Sequence, residues 1–256
     1  MDLQLSGRRV LVTGGTRGIG RAIVAGFLAE GATVGFCARD SEEVAATEEA
    51  MAGGGNEKGA VKGSVVDVGD ADALAAWVEQ SAAGFGGLDC VVANVSALAI
   101  PDTEENWQLS LNVDVMHTVR LVRAAMPHLE QSDAPSIIAI SSVSGRESDF
   151  ASGPYGTAKT AIVGYVSGLA LQLAEKGIRA NVVSPGNTYF DGGVWQSIEA
   201  GNPDLYDRAV GLNPTGHMGT PEEIAGPVVF LASPVARRIS GTNLVVDGAL
   251  TRGIQL

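Results

Sequence analysis

A tyrosine and a lysine four residues apart, Tyr155 and Lys159, follow a serine, Ser142, thirteen residues upstream. Positions i and i+4 of a helix lie on one face, one turn apart. A helix starting near Tyr155 therefore points a phenol and an ammonium the same way. Free tyrosine, with a pKa of ~10, is a poor base at neutral pH. A cation one turn away favours the phenolate, and general acid–base catalysis works best when the group titrates near the working pH. Ser142 ends an apolar run, Ile137-Ile138-Ala139-Ile140, that reads as a short buried strand. Phenol, ammonium and hydroxyl would then share the mouth of one strand, as a proton-transfer device. A chance surface pair is the competing reading of Tyr155 and Lys159, and Ser142 and the glycine turn described next weigh against it.

That turn is Thr13-Gly14-Gly15-Thr16-Arg17-Gly18-Ile19-Gly20, between the apolar run Val10-Leu11-Val12 and a helical pattern over Ala22 to Ala29. Glycines let backbone amides approach a ligand closely. A helix N-terminus offers free N–H groups and partial positive charge to a pyrophosphate. Packing alone could also require the glycines, but their place between a first strand and a first helix favours a dinucleotide. Arg17 opposes the helix dipole. Either an anion is held beside it or it is a solvated surface arginine. The second strand, Thr33 to Ala38, runs into Arg39 and Asp40. An acidic residue there serves the ribose 2′-hydroxyl of NAD, whereas an arginine accommodates the 2′-phosphate of NADP. Glu43, three residues beyond Asp40, makes Asp40 a helix cap. Arg39 therefore favours NADP(H), with NAD(H) the alternative. Asp67, ending a third strand over Val61 to Val68, either accepts from an adenine amine or merely starts a loop.

The elements that must position these groups alternate. Asp40 opens a helix that Gly53-Gly54-Gly55 ends, and Asp70 caps a helix through Gln80. Asp89 to Ala93 is a fourth strand, Glu104 to Leu129 a long helical region split near Ser110, and Ile137 to Ser141 the fifth strand. A helix spans Gly156 to Lys176, a sixth strand Arg179 to Val183, then a looser segment runs from Asn187 to Met218. Thr220-Pro221-Glu222-Glu223 starts a helix with a Thr cap, Pro at the first position and Glu at the third, and Asn243 to Val246 is a last strand. Continuous apolar strands alternating with helices predict an α/β fold: a doubly wound parallel sheet buried on both faces. Such sheets bind ligands at the carboxyl ends of their strands, where every motif above falls.

The 256 residues, 45% of them apolar, suffice for one large domain, residues 1–256, and no linker or low-complexity tract divides them. No stretch reaches the ~20 apolar residues of a membrane span, and the N-terminus has no apolar run of signal-peptide length. No membrane association and a cytoplasmic location are expected. The formal charge of −12 offers no basic footprint for nucleic acid. His117, His128 and His217 fit no metal-ligand spacing, so no metal site is expected. Cys37 and Cys90 fall in buried strands, as free thiols.

In their order and spacing, Thr13-Gly-x-x-x-Gly-x-Gly20, Asn112 in a long helix, Ser142, Tyr155-x-x-x-Lys159, Pro185-Gly186 and Val246-Asp247-Gly248 resemble the short-chain dehydrogenase/reductase family over nearly the whole chain. The resemblance implies a Rossmann-like sheet of about seven parallel strands and hydride transfer between a nicotinamide and a carbonyl or secondary alcohol. It makes Tyr155 the general acid or base, has Ser142 hold the substrate oxygen and Lys159 bind the nicotinamide ribose, and gives Asn112 a water-linked proton relay. It places the cofactor against Gly14, Thr16, Arg17, Gly18, Ile19, Gly20, Arg39, Asp67, Val68, Asn94, Tyr155, Lys159, Pro185, Gly186 and Thr188. Two departures stand out. Where the family usually has Asn-Asn-Ala-Gly, this chain has Ala93-Asn94-Val95-Ser96, which bears on cofactor affinity. Where the family often has a threonine four residues beyond Gly186, this chain has Phe190, with Thr188 nearest.

The family's substrate lid corresponds to about residues 187–218. Tyr189, Phe190, Trp195 and Tyr206 there either give an aromatic face to the substrate or pack the lid onto the body, and Ser144 is a further lining candidate beside Ser142, Tyr155, Tyr189 and Trp195. The acyl-carrier reductases of the family act on acidic carriers. The loop Glu130-Gln131-Ser132-Asp133 and a charge of −12 disfavour such a partner, so a small-molecule ketone or alcohol is expected. The small residues Gly156, Ala158, Ala161, Gly164, Gly168 and Ala170 permit close packing of the Tyr155 helix, which the family's assemblies bury, and a homotetramer is expected. An NAD(H)-dependent relative, a 3-oxoacyl reductase and a non-catalytic nucleotide sensor are the alternatives; a sensor has no use for Ser142, Tyr155 and Lys159 together.

Overall fold

The computed structural model describes residues 1–52 and 59–254. Seven strands form one parallel sheet: β1 Arg9–Thr13, β2 Thr33–Ala38, β3 Val61–Val65, β4 Cys90–Ala93, β5 Ser136–Ile140, β6 Arg179–Pro185 and β7 Asn243–Val246. Their order is β3-β2-β1-β4-β5-β6-β7. Succession reverses between β1 and β4, and that crevice at the carboxyl ends is where doubly wound sheets take ligands.

The central strands are apolar because both their faces are covered; every residue of β4, β5 and β6 is buried. On one face α3 (Ala71–Phe85), α5 (His117–Leu129) and α6 (Pro154–Leu173) bury Leu74, Trp77, Leu121, Ile162 and Val166 against the sheet. On the other, α1 (Gly18–Ala29) and α9 (Pro221–Ala232) bury Ile23, Phe27, Ile224 and Val228. Burying one such side chain contributes about 1.5–3 kcal/mol. The two cysteines are free and buried, and burial pushes each thiol up to about 12.

Several boundaries differ from those expected. Strand β3 stops at Val65, because its neighbour β2 ends at Ala38, the partner of Val65. Asp67 follows in a loop, its Oδ1 accepting from Gly69 N at 2.8 Å. Helix α2 (Ser41–Ala52) is capped by Asp40, which accepts from Glu42 N and Glu43 N; its expected end at Gly53–Gly55 lies outside the described residues. The region split near Ser110 consists of α4 (Glu104–Ser110), a π-helical stretch Leu111–Met116, and α5. The segment from Asn187 to Met218 is more ordered than expected. It holds α7 (Val194–Gly201) and α8 (Pro203–Leu212), the second capped by Asn202 with Pro203 in first position. That Asn-Pro pair was the sequence signal for it. Trp195, Ala209 and Met218 form a small apolar cluster of their own there. Thr220 and Glu223 complete the expected capping box of α9. Among the described residues no helix is long and apolar enough to cross a membrane.

Candidate active site

A cavity of about 600 Å³ opens at the carboxyl ends of the strands, over the β1–β4 crevice. Its first wall is the glycine turn. Asn94, just past β4, donates from Nδ2 to Thr13 O at 3.0 Å and to Gly14 O at 3.2 Å. The turn is so tight that a Cβ on Gly20 would stand 1.9 Å from Gly14 O. Val95 and Ser96, the departures in this segment, also line the cavity. Val95 packs on Gly14, and Ser96 Oγ accepts from Leu98 N at 3.1 Å.

Helix α1 begins here without a side-chain cap and without an acidic residue in its first turn. Its first N–H groups and their positive end of the dipole are left for an anion. Arg17 and Arg39 line the same wall, both exposed, and neither has a carboxylate partner among the described residues. Thr16 Oγ1 donates to Glu43 Oε2 at 2.9 Å. An uncapped helix start and two unpaired guanidiniums fit the phosphates of a dinucleotide. Ile19, Asp67, Val68, Pro185, Gly186 and Thr188 line the cavity too. Gly18 does not; the Phe190 ring covers it, and a Cβ there would meet the ring at 2.5 Å. Thr188 Oγ1 donates to Gly186 O at 3.1 Å.

The opposite wall carries Ser142, Tyr155 and Lys159. Ser142 Oγ accepts from Ser144 N at 3.1 Å, which leaves its own proton to donate. The Tyr155 hydroxyl makes no hydrogen bond to a described residue. The Lys159 ammonium lies 5.6 Å from the centre of the Tyr155 ring. Lys159 is buried and donates to Ile140 O at 3.1 Å, which ties α6 to the end of β5. The approach is close because Gly145 intervenes; a Cβ there would stand 2.8 Å from the Lys159 carbonyl carbon.

Asn112, expected in the relay, does not line this cavity. Its Nδ2 donates to Gly69 O at 3.4 Å and its Oδ1 accepts from Arg120 at 2.8 Å, away from the cavity. The side chain that reaches Lys159 from the same π-helical stretch is Asp114. Its Oδ1 lies 3.1 Å from Lys159 Nζ, and its Oδ2 accepts from Ala97 N at 3.0 Å. The sequence signal was a lone carboxylate among Leu111, Val113, Val115 and Met116. His117 is a packing histidine, fully buried, and burial pulls it down to about 4, against a backbone hydrogen bond to Val113 that pulls the other way. Neutral, it donates from Nδ1 to Val113 O and accepts at Nε2 from Thr13 Oγ1, 3.0 Å away, which anchors the π stretch to β1.

On the substrate side, Ser144 lines the cavity and donates to Asp149 at 2.6 Å. Trp195 lines it, buried, with its ring edge-on to Phe150 at 5.9 Å. Leu98, Ile100, Leu109, Val194 and Ile198 add apolar surface. Tyr189 does not line the cavity. Its hydroxyl donates to Glu199 at 2.6 Å and its ring packs on Tyr206, within the segment itself.

Sheet, glycine turn and the Ser–Tyr–Lys wall together define a nucleotide-dependent oxidoreductase of the doubly wound class. A family model described as enoyl-(acyl carrier protein) reductase matches residues 14–251. The chain is 42% identical to the isoepoxydon dehydrogenase of Penicillium expansum, over 98% of this chain and 97% of that one. It is 35% identical to the L-fucose dehydrogenase of Mus musculus, over 97% and 90%. An NADPH-bound short chain oxidoreductase from Pseudomonas aeruginosa superposes with a TM-score of 0.87 at 29% identity, over 96% and 98%. This chain belongs to the short-chain dehydrogenase/reductase family and is an NAD(P)-dependent oxidoreductase.

Proposed function

We propose that this protein interconverts a small secondary alcohol and its ketone with NADP(H), Tyr155 moving the proton. The observation that carries the reading is the free Tyr155 hydroxyl, standing with Ser142 and Lys159 across one cavity from the unpaired Arg17 and Arg39. When bound, the nicotinamide accepts the hydride in one direction and supplies it in the other: alcohol and NADP⁺ give ketone, NADPH and a proton. Ser142 donates its hydroxyl to the substrate oxygen, its own acceptor side being taken by Ser144 N. Tyr155 takes the alcohol proton as phenolate, or returns it as phenol. Lys159, held by Ile140 O and Asp114, keeps a cation 5.6 Å from the centre of the phenol ring and would hold the nicotinamide ribose.

The preference for the 2′-phosphate rests on Arg17 and Arg39, since Asp40 is occupied in capping α2. The NADPH-bound relative supports it. Residues 187–218 act as a lid: their separate apolar cluster makes them a unit, and Trp195 turns inward against Phe150. A small molecule suits the apolar surface that Leu98, Ile100, Leu109, Val194, Trp195 and Ile198 lend the cavity. The relatives named for isoepoxydon and L-fucose support a small molecule over a carrier-bound acyl chain.

A panel of small ketones and alcohols, assayed with both cofactors, tests the reading. A kcat/KM at least about tenfold higher with NADPH is expected from the charge-assisted hydrogen bonds to a 2′-phosphate; preference for NADH would refute the cofactor choice. Tyr155→Phe should lower kcat by about 10²–10⁴-fold, the usual contribution of a positioned proton donor, while NADPH still binds. Full turnover by that variant would refute the role of the phenol.

A further inference from the structure

We infer that Asp114 is a positioning residue that sets the pH at which the tyrosine works. Its buried carboxylate holds the Lys159 ammonium in place and offsets part of the charge that favours the Tyr155 phenolate, so alcohol oxidation is displaced to higher pH. The inference rests on the proton-moving role proposed for Tyr155.

The geometry is specific. Asp114 is fully buried and Lys159 nearly so, and their charged atoms lie 3.1 Å apart. Bulk water does not screen a pair at that depth as it screens surface charges. Oδ2 is fixed by Ala97 N, in the loop that follows β4. Oδ1 has no aligned hydrogen-bond donor, so its contact with the ammonium is one of charge. A neutral amide of the same shape could keep the Ala97 bond but not that charge.

The other groups facing the pair do not take over this part. From the start of α5, His117 is neutral, with both ring nitrogens engaged by Val113 O and Thr13 Oγ1. Arg120, further along α5, gives its guanidinium to Asn112 and Gly69 O. From β5 and its loop come the Ile140 carbonyl and the hydroxyls of Ser141 and Ser142, Ser141 donating to Lys159 O. From α6 come Tyr155 and Lys159 themselves, and from the loop before it Asp149, whose carboxylate accepts from Ser144 Oγ. Asp114 is the carboxylate in contact with this ammonium among the described residues. A carboxylate against the ammonium offsets part of the charge by which that ammonium favours a phenolate. Replacing Asp114 by a neutral group therefore makes phenolate easier to form.

Asp114→Asn is the test, read in two ways. The rise of kcat/KM for alcohol oxidation with pH should move to lower pH by about one unit, the size expected of a partly screened charge a few ångströms further off. KM for the alcohol should change less than about twofold, because Asp114 is not expected to touch the substrate. The second readout needs neither substrate nor cofactor: tyrosinate absorbance near 295 nm, with the Tyr155→Phe trace subtracted. The background is favourable. The hydrogen bond to Glu199 pushes Tyr189 up to about 12, and burial raises Tyr165. A downward move of the Tyr155 signal in Asp114→Asn supports the inference. A signal unmoved or moved upward in the folded variant overturns it. Asp114→Ser is the second variant should Asp114→Asn fail to fold, and failure of both to fold would assign the pair to stability and likewise overturn it. Full turnover by Tyr155→Phe would instead sink the underlying reading, and the absorbance result would stand apart from it.

Discussion

The two ends of the sheet use the same charged groups in opposite ways. At the amino end, Asp89 precedes β4, and its buried carboxylate accepts from Arg9 N at 2.9 Å, Arg9 Nε at 2.8 Å, Arg9 Nη2 at 2.8 Å and Ser132 Oγ at 2.6 Å. Arg9 also donates to Gly86 O, and Arg8 pairs with Asp133. Among the described residues at the carboxyl end, Arg17 and Arg39 have no carboxylate partner, α1 has no side-chain cap, Asp114 Oδ1 has no aligned donor, and the Tyr155 hydroxyl has no hydrogen-bond partner. An end that only holds the fold together satisfies its charges internally. An end that holds a ligand keeps some of them, here the two guanidiniums, without an internal partner until the ligand arrives. Burial does not separate the two, because Asp89 and Asp114 are both buried. What differs is whether the remaining valences are filled.

The largest effect expected from that contrast falls on stability. Asp89→Ala leaves Arg9 without its carboxylate. Removing one partner of a buried pair costs about 3–5 kcal/mol. Because Arg8 and Arg9 are themselves part exposed, the lower figure, about 3 kcal/mol, is the expected loss in urea unfolding. The kcat should stay within about twofold. Burial alone would raise the Asp89 carboxyl, but the hydrogen bonds from Arg9 and Ser132 outweigh it and hold the carboxyl below the ordinary range. With the folded value depressed, the stabilisation is present above the unfolded value of ~3.9 and is lost as pH falls through the lower folded one. Asp89→Ala should therefore flatten the acid limb of the stability curve below about pH 4. A large fall in kcat would break the division between the ends.

Arg39→Ala makes the complementary change. With no carboxylate partner among the described residues to lose, it should alter stability by less than about 0.5 kcal/mol. It should raise KM for NADPH about tenfold, the value of one charge-assisted hydrogen bond to phosphate, and leave KM for NADH unchanged. Equal losses with both cofactors would mean that Arg39 shapes the pocket without reading the 2′-phosphate.

These contrasts also explain what could be read from the chain alone. The parallel sheet was legible because continuous apolar runs such as Ile137–Ile140 leave little else for a strand to do. The caps at Asp40, Asp70 and Thr220 were legible because capping is local. The long-range facts were not. The resemblance gives Asn112 the relay from its place in a long helix, and nothing in the sequence marks Leu111–Met116 as π-helical. A wider turn rotates the side chains that follow it relative to α-helical counting, and such turns recur at functional sites. Asp114 thereby reaches Lys159 while Asn112 turns to Gly69 and Arg120. Tyr189 was open to two readings because an aromatic beside a cavity can pack either way, and its hydroxyl turns to Glu199, ten residues on.

The smallest effect probes strain and not charge. Leu98, on the cavity wall just past Ser96, has φ of 49°, a left-handed conformation for a bulky side chain. Such a conformation costs about 1–2 kcal/mol, and strain of this kind gathers at functional sites. Leu98→Gly removes the strain but adds backbone entropy to the unfolded chain, worth about 0.5–1 kcal/mol. The difference leaves a gain of about 0.5 kcal/mol in thermal unfolding measured at Tm. Loss of the leucine from the substrate wall should cost kcat/KM about threefold, since its side chain is 46% exposed and has only part of its apolar surface to offer a ligand. A variant that gains stability and loses turnover would show that the carboxyl end holds strain for its ligand as it holds unpaired charge. A variant that loses both would make Leu98 an ordinary packing residue, and the contrast between the ends would then rest on charge alone.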